Sequence, residues 1–294
     1  MYYNENSVLF LNGEWKKAAE TQCSLFGQSL HYGNGVFEGI RSYETEHGPA
    51  IFKAKAHYDR LLFSAKTMYI DLPYSTEELI QISYDLLKKN HLQNAYIRPL
   101  VFLGDYLHLN PSDDVNLMIC AWEWDKYLGN DALNVMTSPY QRPNPKAFHV
   151  DAKVTGHYAN SILASTHAKR AGFDEALLLD MNGFVAEGPG ANFFFEKDNK
   201  LYTCPEGNIL PGITRATMFE LCEFLEIELI EKFFTPEEVR GADCAFFVGT
   251  AAEVAGIRTL DNIPFKLKWE DSLGHQLAKA YKREVLEVEP VYLF

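Results

Sequence analysis

At 294 residues the chain exceeds the size at which a single hydrophobic core usually stops growing, so two domains are expected. Hydrophobic residues make up 47% and aromatic residues 14%, ample for packed cores and inconsistent with a disordered chain. The formal charge of −13 argues against a phosphate-backbone partner, although an acidic exterior still permits a local basic pocket for small anions. Five cysteines, Cys23, Cys120, Cys204, Cys222 and Cys244, are odd in number and show no CxxC spacing. That suits thiols in a reducing compartment better than disulfides or zinc. The first six residues lack the basic region and long apolar run of a signal peptide, and no apolar run approaches a membrane span. A cytoplasmic location without membrane or nucleic-acid partners is therefore expected.

Residues 8–11 and 14–16 flank Asn12-Gly13 and read as a hairpin, since Asn-Gly supplies the positive φ angles of a tight turn. Residues 36–43 and 50–53 read as a second strand pair around His47-Gly48-Pro49. Two amphipathic helices follow, one near 56–68 and one after the capping box Ser75-Thr76-Glu77-Glu78. Residues 95–103 and 115–122 are rich in β-branched and aromatic side chains and read as strands. This order suggests an α+β domain on an antiparallel sheet. The polar stretch 123–131 breaks the pattern, which divides the chain into 1–122, a linker over 123–133, and 134–294.

The second half opens with a strand at 132–138 and an irregular loop holding Pro139, Pro143 and Pro145. Lys153 then stands at a loop-to-helix junction, with Thr155 as the expected N-cap. Tyr158, Ile162 and Leu163 form the expected apolar stripe of that helix, and Gly172 its C′ glycine. Strands at 175–179 and 184–186 flank Asp180-Met181-Asn182-Gly183, and strands at 192–196 and 201–203 flank Lys197-Asp198-Asn199. A helix over about 212–224, strands at 226–231 and 244–248, and a helix over about 271–286 complete the pattern.

Several stretches carry chemistry, each with a plainer alternative. Lys153 is either a solvated side chain or a lysine kept uncharged for covalent chemistry. Leu210-Pro211-Gly212-Ile213-Thr214-Arg215 leads into a helix, whose unpaired amides and dipole favour a phosphate; it is otherwise a Pro-Gly turn. Gly249-Thr250-Ala251-Ala252-Glu253 is a second anion cradle or a tight turn. Glu187, beside Gly188 and Gly190, is a buried carboxylate in need of a cation or an exposed residue in a bulged strand. Tyr96 and Arg98 face one side of their strand, where they could bind a carboxylate or form a surface pair. No HExxH, GxSxG, Walker or GxGxxG pattern occurs, so no metal is expected.

Residues 31–41, Ser64-Ala65-Lys66, 95–100, Ala152-Lys153, 187–192, 210–215 and 249–253, in that order, resemble the fold-type-IV pyridoxal-phosphate enzymes. They most resemble the branched-chain-amino-acid aminotransferases, over nearly the whole chain. The resemblance implies a small α/β N-terminal domain and a larger, mixed, β-barrel-like C-terminal domain, with the active site between them. It implies pyridoxal 5′-phosphate as cofactor and ping-pong transamination between leucine, isoleucine or valine and 2-oxoglutarate. A homodimer or a dimer-based oligomer is implied as well.

Position by position, Lys153 is similar to the Schiff-base lysine, Glu187 to the carboxylate facing the pyridine nitrogen, and Tyr158 to the phenol on the ring oxygen. Arg60, Ile213, Thr214 and Thr250 resemble the phosphate contacts, and Leu210 the apolar residue under the ring. Tyr32, Phe37, Tyr96, Arg98, Tyr127 and Ala251 resemble the substrate pocket. One departure is the loop Tyr106-Leu107-His108-Leu109-Asn110-Pro111-Ser112, bulkier than the glycine-rich loop common in the family and a candidate to reshape substrate preference. D-amino-acid aminotransferases and aminodeoxychorismate lyases share the fold and stand as alternatives.

Overall fold

The computed structural model describes residues 2–124 and 132–287, and the chain divides into two compact units. The first opens with a hairpin of β1 (Val8–Leu11) and β2 (Glu14–Lys17), whose turn residues Asn12 and Gly13 both take positive φ. After α1 (Gln28–Tyr32) come β3 (Val36–Phe37), β4 (Ile40–Thr45) and β5 (Gly48–Ile51). The expected single strand over 36–43 is thus broken at Glu38-Gly39. A Cβ on Gly39 would lie 1.8 Å from the Tyr96 hydroxyl, so only glycine fits that break.

Helices α2 (Ala54–Thr67) and α3 (Thr76–Asn90) follow, the second closed by the expected Ser75/Glu78 capping box. Strands β6 (Ala95–Leu103) and β7 (Val115–Glu123) complete a seven-stranded sheet of order β2-β1-β7-β6-β4-β5, with β3 paired to β6. Leu61, Ala65, Leu79, Leu86 and Leu87 from the helices pack with Ile97, Val101, Leu117 and Ile119 of the sheet. The alternation of Ile97, Val101 and Leu103 along β6 is what places one face in that core.

Ala152–Gly156, which the sequence division put in the second domain, belongs to this first unit. Phe37 N–H donates to the Lys153 carbonyl, Thr155 N–H to Gly35 and Gly156 N–H to Gly33. Gly33 and Gly156 approach so closely that a Cβ on Gly33 would lie 2.8 Å from the Gly156 Cα.

The second unit begins with β8 (Leu133–Gln141), which runs on into the expected proline loop. Helix α4 (Tyr158–Arg170) follows a 3₁₀ turn over Thr155–His157. Strands β9 (Glu175–Leu179), β10 (Val185–Glu187), β11 (Asn192–Lys197) and β12 (Lys200–Thr203) lead to α5 (Ile213–Phe224). Then come β13 (Leu229–Glu231), α6 (Pro236–Arg240), β14 (Cys244–Gly249), β15 (Glu253–Leu260), β16 (Ile263–Pro264) and α7 (Leu273–Glu287). The sheet order is β10-β9-β8-β15-β14-β11-β12-β13, and β10 also pairs with β11. That extra pairing closes a ring of six strands, the barrel-like sheet expected. Both faces of β11 are buried: Phe193 and Phe195 pack on Phe234, while Phe194 stacks on Phe246 at 5.3 Å.

Two details of α4 differ from expectation. Thr155 does not cap the helix; its hydroxyl donates to the Gly33 and Gly35 carbonyls. The buried face consists of Ser161, Ala164 and Ala168, whereas Ile162 and Leu163 are exposed. Small residues let α4 lie close to Ala176 and Leu178 of β9, and the larger side chains cannot.

Candidate active site

In the first unit one face of α2 presents His57, Arg60 and Ser64, spaced three and four residues apart. Ser64 Oγ accepts the Lys153 backbone N–H at 2.9 Å, so the helix holds the lysine's own backbone. The Lys153 side chain is half-buried, its Nζ 5.2 Å from the Phe37 ring centroid. Arg98 lies 4.6 Å from the same ring, and its Nη2 donates to the Tyr96 hydroxyl at 3.1 Å. Its Nε is buried and makes no hydrogen bond among the described residues, as suits a cation awaiting an anionic ligand. Lys153, Phe37, Tyr96 and Arg98 are thus brought together.

Arg60 is gripped by Glu38, Nε to Oε1 at 2.6 Å and Nη2 to Oε2 at 2.9 Å. His57 Nδ1 meets the same Oε2 at 2.8 Å. Burial alone would raise the Glu38 carboxyl, but Arg60 and His57 outweigh it and hold the group well below the ordinary carboxylate range. Burial lowers His57 below its ordinary value against the pull of Glu38, and Arg60 and Lys153 lower it further. An ionised carboxylate can only accept, so Nδ1 is the donor in this contact. Neither Glu38 nor His57 was singled out by the sequence; Glu38 lies within the stretch 31–41, and His57 stands three residues before Arg60.

In the second unit Glu187, at the end of β10, is buried and accepts from Asn192 Nδ2 at 3.0 Å and from Leu210 N–H at 3.2 Å. Arg142 Nε lies 2.8 Å from its Oε1, with both side chains buried. Arg142 is the cation that a buried Glu187 needs, and its arginine role was not foreseen in the proline loop. Asn192 also donates to the Leu210 carbonyl, so Glu187, Arg142, Asn192 and Leu210 form one network. Helix α5 starts three residues after Leu210, at Ile213, with Gly212 as an N-cap that offers no side chain. A Cβ on Gly212 would lie 1.9 Å from Asn192 Oδ1, so glycine is required where backbone amides meet this network. Thr214 is buried in the first turn.

Thr250 and Ala251 lie in the turn between β14 and β15. Tyr158, at the start of α4, lines a groove of about 330 Å³ with Gly188, Pro189, Gly190, Ala251 and Ala252. His157 is buried against Phe148, and burial together with Arg142 and His149 lowers its pKa to about 4.

One expected pocket residue stands apart. Tyr32 is exposed at the end of α1, its hydroxyl donating to the Leu107 carbonyl at 3.4 Å. Tyr127 lies outside the described residues. The loop over 106–112 is held by buried Gln28, whose Nε2 donates to the His108 and Asn110 carbonyls at 2.7 Å each, and it projects Leu107 and Leu109 outward. Among the described residues no cluster of His, Cys, Asp or Glu could hold a metal, and no helix is long and apolar enough to cross a membrane.

Taken unit by unit, a lysine beside an aromatic ring and a clamped arginine in the first, and a buried carboxylate with its own arginine beside helix-start amides in the second, are groups that suit a ring-bearing phosphate cofactor. The family profile described as amino-transferase class IV matches residues 35–260. The chain is 40% identical over 284 residues to the branched-chain-amino-acid aminotransferase of Pseudomonas aeruginosa, covering 95% of this chain and 92% of that protein. Its fold superimposes with a TM-score of 0.92 on the solved T.th. branched-chain amino acid aminotransferase with pyridoxamine 5′-phosphate, 37% identical over 97% of this chain and 96% of that one. The branched-chain aminotransferase from Thermoproteus uzoniensis with norvaline gives 0.91, at 35% identity over 95% and 94% of the two chains.

Proposed function

The chain belongs to the class IV aminotransferases, and from that premise we propose how its residues divide the work of transferring an amino group. The reaction is pyridoxal-phosphate-dependent transamination between a branched-chain L-amino acid and 2-oxoglutarate, giving the branched 2-oxo acid and L-glutamate. One observation carries the reading: near-full-length likeness to branched-chain enzymes in a chain whose second unit buries Glu187 in ion contact with Arg142. D-amino-acid aminotransferases and aminodeoxychorismate lyases are the alternatives, and the likeness to the relatives named above favours the branched-chain enzymes.

When bound, the cofactor supplies an electron sink for the carbanion at the substrate Cα. Lys153 Nζ would be the group that holds the cofactor, and as a free amine it would move the proton to and from the substrate Cα. Glu187 would hold a proton on the ring nitrogen, and Tyr158 would bond the ring oxygen. Arg60, Ile213, Thr214 and Thr250 would bind the phosphate, with Leu210 against the ring. Phe37, Tyr96, Arg98, Tyr127 and Ala251 would form the substrate pocket, Arg98 receiving the second carboxylate of 2-oxoglutarate or glutamate.

Exposed Tyr32, Leu107 and Leu109 support a homodimer in which this surface is covered by a second copy. Light scattering of the purified protein at twice the monomer mass is the expected result. We also assign it to the cytoplasm. Activity with L-leucine or L-valine and 2-oxoglutarate tests the reaction; activity on D-alanine alone would contradict it.

A further inference from the structure

We propose that Glu38 is a positioning residue that aims Arg60 at the cofactor phosphate, an inference that rests on the assignment of Arg60 to that phosphate. The carboxylate sits at the Glu38-Gly39 break between β3 and β4, where Glu38 N–H donates to the Pro99 carbonyl. This fixes its backbone on the sheet, and its side chain is wholly buried. It accepts Arg60 through Nε and Nη2 together, so the guanidinium plane is set and its Nη1 edge points away from the carboxylate. An arginine left on its long flexible stem would have to be ordered by each incoming phosphate, and a side-on carboxylate removes that cost beforehand.

His57 and the Gly39 N–H complete the carboxylate's hydrogen bonds, at 2.8 and 3.3 Å. The full cation facing the carboxylate is Arg60, and His57 and Gly39 add polar hydrogens. A purely structural role would be served as well by apolar residues, since buried ion pairs are often neutral or costly to stability. The pair makes sense where the direction of the arginine matters, not its mere presence.

The test uses the full-length protein stripped of cofactor and titrated by absorbance with pyridoxal phosphate and, separately, with pyridoxal, which lacks the phosphate. Glu38→Gln should weaken pyridoxal phosphate binding by roughly tenfold to hundredfold, the scale of a hydrogen bond to a charged group. Pyridoxal binding should be unchanged. An equal loss for both ligands, as from general loosening, or no loss for either, overturns the inference. If Glu38→Gln does not fold, Glu38→Asp takes its place: its withdrawn carboxylate should still lower the ratio of the two affinities, and an unaltered ratio overturns the inference. Arg60→Lys separates the two levels. If it too leaves the ratio as in the parent protein, the assignment of Arg60 is wrong; if it collapses the ratio while the Glu38 variants do not, only the role of Glu38 is wrong.

Discussion

Among the described residues each unit buries one arginine–carboxylate pair, and we read the two pairs with their roles exchanged. In the first, Glu38 is fully enclosed and Arg60 keeps 12% of its side chain exposed; we read the arginine as facing the ligand. In the second, Glu187 and Arg142 are buried almost equally, at 6% and 8%, and the carboxylate is the group we assign to the ligand. Arg142 is fixed there by its own backbone, its N–H donating to the Leu179 carbonyl. A buried histidine accompanies each arginine, and in both the pKa is lowered, chiefly by burial. The comparison teaches that a single buried charge of either sign is usable at such a site only if a counter-charge has already been built into the fold.

Breaking the ligand-facing member of the second pair should have the largest effect. Glu187→Gln is expected to lower turnover by roughly a hundredfold to a thousandfold, the scale of losing one preorganised electrostatic partner, while the cofactor still binds. Steady-state rates with L-leucine measure this. Arg142→Met should act first on stability, costing about 3–5 kcal/mol in denaturant unfolding because Glu187 is left as an uncompensated buried charge. In the double variant the unfolding loss should be smaller than in Arg142→Met alone, since no unpaired carboxylate is left buried.

The smallest effect concerns the histidine of the same region. His157 titrates at about 4 when folded against an ordinary 6.5, so the unfolded chain binds more protons between those values. Stability therefore falls as pH drops from 6.5 toward 4, with a slope of up to one proton from this residue. His157→Gln should flatten that part of the curve of thermal midpoint against pH, and an unchanged slope would remove His157 from the acid response.

These pairs also show what a sequence can and cannot carry. Strand β6 was legible to the residue because alternation along Ala95–Leu103 sets one buried face. The Ser75/Glu78 box announced α3 equally well, since its chemistry is local. Helix α4 misled for a physical reason: Ile162 and Leu163 are the apolar residues, yet the close-packed face belongs to Ser161, Ala164 and Ala168. Strand β15 went unread because its start, Glu253, was absorbed into a supposed glycine-alanine cradle. Lys153, Glu187 and Arg60 came from the family likeness and not from their own surroundings. Glu38 and Arg142 went unassigned because a charge pair between distant residues leaves no periodicity to read.

The central claim is that Lys153 carries the cofactor. Borohydride reduction of the holoenzyme, followed by proteolysis and mass mapping, tests it directly. The account predicts one stable pyridoxyl-phosphate adduct, on the peptide containing Lys153, and none in Lys153→Ala. An adduct on another lysine, or its persistence in that variant, would contradict the account.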